Sequence, residues 1–362
     1  MKAVAVHPAN KQVGLVEVGE PRIERPTDVK LRILEVGVCG TDKEICRFEY
    51  GQPPRGMDYL VLGHECLGVV VDAGADVTRV RPGDLAVMMV RRPCPHESCS
   101  PCQGGRQDFC YTGDFTERGI NQFHGFMTGF VVDHQDYVCP VPQDLRDIAV
   151  LTEPLTIAEK GLRQVLDVQD RLPWGTKGHR AVVLGAGPVG LLGAMALRVR
   201  GFETWVYSRE APDDPRVRIV EAMGARYVSS AERNAAQLAS QVGNIDLVYE
   251  ATGVSSVSFD VLGVLGINGI CVFTGIPGHN TPAPTDTDAL MRSIVLKNQI
   301  VVGTVNANRP AFENAIADLG EFRRQFPEAI AGLISQRWKM EEHAGLLLGR
   351  APGIKNVISM EG

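Results

Sequence analysis

No apolar run in this 362-residue sequence approaches the roughly 20 residues needed to cross a bilayer, so no membrane-spanning helix is expected. Positive charge is not in excess either. Against 43 Asp and Glu stand 37 Lys and Arg, a net charge of -6 that lacks the basic field nucleic acid or anionic lipid requires. The start, MKAVAVHPANKQVGLVEV, places four small apolar residues before His7 and Pro8 and then alternates like a strand; neither a secretory signal nor an anchor is expected there. Internal repeats are lacking, and NTPAPTDTDA is the one low-complexity stretch, read as a surface loop. These absences predict a cytoplasmic chain that binds neither nucleic acid nor membrane. Thiols stay reduced in that compartment, so nine cysteines, an odd number with four clustered, read as metal ligands plus core residues (Cys46, Cys66, Cys139 and Cys271) and not as a disulfide framework.

What is present falls into two textures, and the length allows two domains of ordinary size. Up to about Pro154, short β runs such as VKLRILEVGVCG, ECLGVVVDAGADV and TGFVVDHQDYVCPVP are broken by Gly, Pro and Asp, as in a β-rich barrel-like domain. From Arg180 to Val305, apolar strands alternate with amphipathic helices, which implies a parallel sheet covered on both faces. EPLTIAEKGLRQVL has helical spacing and reads as the joining helix. The last segment is helical from RPAFENAIADLGEFRRQF and ends in a strand-like IKNVIS that could return to the first domain.

The stretch AVVLGAGPVGLLGAMAL is an apolar strand, then Gly185, Ala186, Gly187, Pro188, Val189 and Gly190, then a helix. That context gives the glycines a specific role. Gly185 permits the tight turn, Gly187 lets the backbone approach a pyrophosphate, Gly190 allows close packing of helix on strand, and the helix N-terminus faces the anion. The next strand ends in WVYSRE where an NAD-binding unit usually carries Asp or Glu for the ribose 2'-hydroxyl. Ser208 and Arg209 there supply a donor and a cation, favouring a 2'-phosphate and hence NADP, while Glu210, one residue later, leaves NAD use open.

Metal chemistry is offered twice. Cys39 ends an apolar strand with Thr41 two residues on, and His64 and Glu65 follow Gly63; thiolate, imidazole and carboxylate together suit a catalytic zinc with one open position. CPHESCSPCQGGRQDFC places Cys94, Cys99, Cys102 and Cys110 within one short segment, the composition of a closed structural zinc site. By strict two-residue spacing His96 would be its fourth ligand, but a longer loop can bring in Cys94, the preferred partner for a thiolate-rich site.

VGVCGTDKEI, GHECLGVVVDAGADVTRVRPGDLA, the cysteine cluster and VVLGAGPVGLL, in that order, resemble the zinc-dependent medium-chain dehydrogenase/reductase superfamily over nearly the whole chain. VRRPC, GRQDFC, TERGI, LTEPLTIAEK and GTVNANR resemble its glucose (aldose) dehydrogenase branch. The resemblance implies an α/β chain with a β-rich GroES-like catalytic domain, residues 1–178 with 307–362, and a doubly wound Rossmann domain, residues 179–306, with the active site in the cleft. It implies a catalytic zinc held by Cys39, His64 and Glu153, with Glu65 binding directly or through water. Thr41 would relay the proton, and Glu117, Asn306, Thr41 and Glu153 would contact sugar. Thr274, Gly275, Ile276, Thr304, Val305 and Asn306 would join the glycine-rich turn in holding the cofactor. The implied reaction is oxidation of an aldose, D-glucose or D-galactose, to its aldonolactone with hydride passing to NADP, in a homo-oligomer, dimer or tetramer. A polyol, secondary-alcohol or amino-alcohol dehydrogenase would share these motifs. A cofactor-binding protein without catalysis is disfavoured by the intact Cys39, His64 and Glu153.

Overall fold

In the computed structural model of the chain, residues 1–278 and 284–361 are described, so residues 280–283 of the predicted NTPAPTDTDA loop lie outside them. The chain forms two compact units: Met1–Thr156 with Asn306–Leu319 and Ile334–Gly362, and Ile157–Val305 with Gly320–Leu333. The division falls inside the helix Thr152–Gln169, where the sequence reading put it after that helix. Segment 320–333 joins the second unit because its apolar residues Phe322, Ala329, Ile330 and Leu333 are buried there, with Gly332 against Ile219. From Thr287 the loop prediction gives way to a helix, Thr287–Leu296, whose first turn is capped by Asp286 Oδ1 accepting from Ala289 N at 2.9 Å. Among the described residues no helix is long and apolar enough to cross a membrane.

The first unit is β-rich, as its texture predicts. Its largest sheet runs Val138–Val141, Leu85–Met88, Glu65–Ala73, Asp28–Val38, Lys355–Ser359, Ile334–Lys339, and Phe130–His134 also pairs with Asp28–Val38. The C-terminal strand returns as expected, antiparallel to Asp28–Val38 with Val357 opposite Gly37. The central strand Asp28–Val38 buries Val29, Leu31, Ile33, Leu34, Val36 and Val38, while Arg32 is exposed.

The second unit holds six parallel strands, β1 (Arg180–Leu184), β2 (Glu203–Ser208), β3 (Arg226–Ser229), β4 (Leu247–Glu250), β5 (Ile270–Phe273) and β6 (Ile300–Gly303). Their order is β3-β2-β1-β4-β5-β6, the doubly wound arrangement whose ligand crevice lies at the carboxyl ends of the strands. Val182, Leu184, Trp205, Val248 and Cys271 pack into the core beneath the helices.

Candidate functional site

Cys39 follows the buried strand Asp28–Val38 and is the N-cap of the helix Gly40–Cys46. Its sulfur accepts from Thr41 N at 3.2 Å and its own N–H donates to Asp42 Oδ2 at 2.9 Å, so a capping box fixes the thiol at the helix start. Gly63 introduces His64 from a left-handed turn, φ +88, where a Cβ would strike Val36 and Met127. His64 Nε2 then lies 3.1 Å from Cys39 Sγ, and Nδ1 lies 3.4 Å from Asp42 Oδ1. Burial disfavours the charged imidazole, but the Cys39 thiolate and the Asp42 carboxylate outweigh it and hold His64 well above its ordinary pKa. Asp42, unremarked in the sequence reading, thus orients both residues; its signal was its place three residues after Cys39.

Ligand atoms of Cys39, His64 and Glu65 all lie within 4.8 Å of one another. Glu65 also meets the Lys355 ammonium, which is 1% exposed and donates to Val38 O at 3.1 Å. Room for that pair comes from Gly37, since a Cβ there would sit 2.0 Å from Glu65 Oε2. Lys355 was read only as part of a terminal strand. Glu153, half-buried in the first turn of Thr152–Gln169, is not in the 4.8 Å group. Burial pushes its carboxyl up to about 7, with His64 opposing the rise and Glu65 adding to it. A thiolate, an imidazole turned by a carboxylate, and a buried acid at one place fit a divalent zinc.

The cysteine quartet is a second such place: the sulfurs of Cys94, Cys99, Cys102 and Cys110 lie within 4.8 Å of one another. Backbone N–H groups of Cys102 and Tyr111 lower the Cys99 thiol to about 6, while burial pushes the Cys102 thiol up to about 12. His96 instead turns outward, 46% exposed in its side chain, with Nε2 3.0 Å from Asp114 Oδ2.

A small ribbon of strands Arg91–Arg92 and Thr116–Arg118 pairs Arg91 with Glu117. Strand alternation sends neighbouring side chains to opposite faces. On one, Arg91 stacks 3.6 Å from the Phe115 ring, its Nε donates to Glu117 Oε1 at 3.0 Å, and Asn306 Nδ2 donates to the same oxygen at 2.9 Å. On the other, Asp133 is buried between Arg92 and Arg118. Glu117 is therefore not a solvated loop charge, and it lines a cavity of about 380 Å³ with Tyr50, Phe115 and Asn121. Asn306 adopts φ +59, with Oδ1 accepting from Ala307 N at 2.8 Å. Arg91 went unnoticed in the sequence. Thr41 is half-buried beside Cys39.

In the second unit Gly185 takes φ +98, Gly187 is the N-cap of Pro188–Val199 with open space where a Cβ would be, and a Cβ on Gly190 would lie 2.1 Å from Gly185 O. Pro188 and Val189 form the first turn, half-buried. Ala186 N donates to Ser208 Oγ at 3.2 Å, and the Ser208 hydroxyl donates to Glu210. Tyr227 OH clamps this strand end by donating to Ser208 O and Glu210 O at 3.0 and 2.6 Å. Arg209 is exposed. Thr274 and Gly275 follow β5, with Ile276 76% exposed; Thr304 and Val305 follow β6, where Lys160 Nζ donates to Val305 O at 2.8 Å.

These are the sheet order and ligand sets of a zinc-type medium-chain dehydrogenase/reductase. The family described as Glucose dehydrogenase C-terminus matches residues 146–360, and that described as Alcohol dehydrogenase GroES-like domain matches residues 25–143. The chain belongs to the glucose dehydrogenase family of that superfamily. It is 39% identical to Glucose 1-dehydrogenase of Methanocella arvoryzae over 361 residues, covering 99% of each chain. It is 41% identical to Glucose 1-dehydrogenase of Thermoproteus tenax over 323 residues, 89% of this chain and 88% of the other. Among solved structures it is similar to Haloferax mediterranei glucose dehydrogenase in complex with NADP, Zn and gluconolactone, with a TM-score of 0.90 and 30% identity over 100% of both chains.

Proposed function

We propose that this protein oxidises an aldose, D-glucose foremost and D-galactose as the alternative, at its anomeric carbon to the aldonolactone, passing hydride to NADP. The observation that carries the reading is the convergence of Cys39, His64 and Glu65 in the same unit that holds the Glu117–Asn306 pair, in a chain 39% identical to a glucose 1-dehydrogenase.

Cys39, His64 and Glu153 would hold the catalytic zinc, and the four cysteines a structural one. Bound there, zinc supplies Lewis acidity that lowers the pKa of a sugar hydroxyl toward neutrality. Asp42 keeps the His64 ring turned so that Nε2 is available. Lys355 neutralises Glu65 when that carboxylate is not a ligand. Thr41 takes the anomeric proton and relays it outward. Arg91 and Asn306 occupy Glu117 Oε1, leaving Oε2 to accept from a sugar hydroxyl and orient the ring. NADP, held at the glycine-rich turn with Ser208 and Arg209 toward its 2'-phosphate, supplies the hydride acceptor. The C1–H bond breaks as hydride and the O–H as proton, which leaves the lactone carbonyl.

A homo-oligomer formed between second copies at the β6 edge fits the apolar side chains exposed there, Met291, Val295 and Leu296 on the helix Thr287–Leu296 and Val301 on β6. A reducing cytoplasm fits the thiolate ligand sets. Initial rates over a panel of aldoses, polyols and secondary alcohols with NADP and NAD test the reading. Aldose oxidation with NADP is expected, and no aldose turnover by zinc-loaded protein overturns it.

A further inference from the structure

A buried carboxylate with no part in the chemistry above sits behind the dinucleotide-binding edge. Glu250, the last residue of β4, is 1% exposed and pairs in register with Leu184, the residue before Gly185. Its Oε1 accepts from Thr252 N and Thr252 Oγ1, both at 2.7 Å, and from Gly253 N at 2.8 Å. Its Oε2 accepts from Gly275 N at 3.0 Å, and its carbonyl accepts from Thr274 Oγ1 at 2.6 Å. Every one of these donors is a neutral backbone or hydroxyl group. One side chain therefore ties the loop after β4 to the loop after β5.

The glycines show how tightly the loops are joined. A Cβ on Gly275 would lie 2.2 Å from Gly253 N, and one on Gly253, at φ +65, would lie 2.6 Å from Ile276 O. Thr252 reaches the glycine-rich turn as well, since a Cβ on Gly185 would meet Thr252 Cγ2 at 2.8 Å. The carboxylate thus ties the loops after β4 and β5, and Thr252 carries the contact on to the turn after β1, at the carboxyl ends where a dinucleotide lies in this sheet order.

We propose that Glu250 is the positioning residue of the dinucleotide site, an inference that rests on the reading of this edge as NADP-binding. The amide of Gln does not replace it. Gln offers one acceptor oxygen, and its NH2 group would face backbone N–H donors on whichever side it was turned. The loops would then relax, and the population competent to bind cofactor would fall.

The test is titration of NADPH into the zinc-loaded wild type and Glu250→Gln, followed by fluorescence with no sugar present. The Kd is expected to rise on the order of tenfold, matching one lost charged hydrogen bond and one donor clash. Thr252→Val, which removes the hydroxyl donor and keeps a methyl over Gly185, is expected to raise it roughly threefold. At saturating NADP the sugar KM should move far less than the dinucleotide Kd, whereas a merely structural role would lower Tm and leave the Kd measured well below it unchanged. A Glu250→Gln Kd within twofold of wild type overturns the assignment, and so does an unchanged Thr252→Val Kd if Glu250→Gln fails to fold. Because no sugar is present, wild-type protein that binds NADPH but oxidises no aldose overturns the substrate reading while this comparison stands.

Discussion

In the first unit Cys39, His64 and Glu65 are brought together with buried charge beside them, Asp42 at His64 and Lys355 at Glu65, and the same unit holds a second buried pair, Arg91 against Glu117. In the second, the dinucleotide edge is made of glycines and loop N–H groups, with Glu250 behind them. The difference follows from what each must hold. A metal and a sugar hydroxyl are recognised by a few strong ligands and acceptors, whereas a pyrophosphate is recognised by close backbone approach and a helix N-terminus. A change of functional group should therefore disable the first unit, and in the second a change of volume at a glycine should do so, as should a change at the buried Glu250.

The largest effect is expected from Cys39→Ser or His64→Ala. Activity should fall by at least about a thousandfold, with one zinc fewer per chain by metal analysis and the quartet's zinc retained. His96→Ala should leave zinc content unchanged, because His96 faces Asp114 and not the quartet. Loss of quartet zinc in His96→Ala would break the assignment of Cys94.

Next comes Gly190→Ala, a substitution of one methyl. The new Cβ, 2.1 Å from Gly185 O, must push the helix Pro188–Val199 off the turn. A loss of about 3 kcal/mol in stability and a weakening of NADPH binding by roughly tenfold are expected, read by denaturant unfolding and by titration. If this variant binds cofactor normally, the backbone account of the second site fails.

The smallest effect concerns Asp133, a buried charge of the first unit outside its sites. Burial opposes its ionisation, but Arg92 and Arg118 outweigh that and depress its pKa from 3.8 to about 2. A depressed folded-state pKa means stability that is fully present above pH 4 and lost as pH falls through 2. The loss is about 2 kcal/mol by linkage. Urea unfolding from pH 5 to pH 2 should show this slope in the wild type and a shallower one in Asp133→Asn, whose folded and unfolded forms bind no proton there.

Much of the fold was legible in the sequence because periodicity reports burial. The alternation of apolar strands with helices after Arg180 became the six-stranded parallel sheet, and IKNVIS became the returning strand Lys355–Ser359. Thr287–Leu296 was missed as a helix start because NTPAPTDTDA reads as loop by composition, while Asp286 acts as its cap. In the sites, residues whose chemistry is unusual were visible: clustered cysteines, a Cys and a His after buried strands, a glycine-rich turn between strand and helix. Their supports were not. Asp42, Arg91, Glu250 and Lys355 are common charged residues whose partners lie up to hundreds of positions away, as Lys355 does from Val38.

By itself the sequence determined the two textures, the glycine-rich turn and the types of ligand available, because these depend on residue identity and short spacing. Only the tertiary structure decided that Cys94 joins the quartet while His96 turns away, that Glu117 is buried beneath Arg91 and Asn306, and that Glu65 faces Lys355. The physical reason is that burial and charge pairing are set by which segments pack together, and a buried charge is tolerated only where packing supplies its partner.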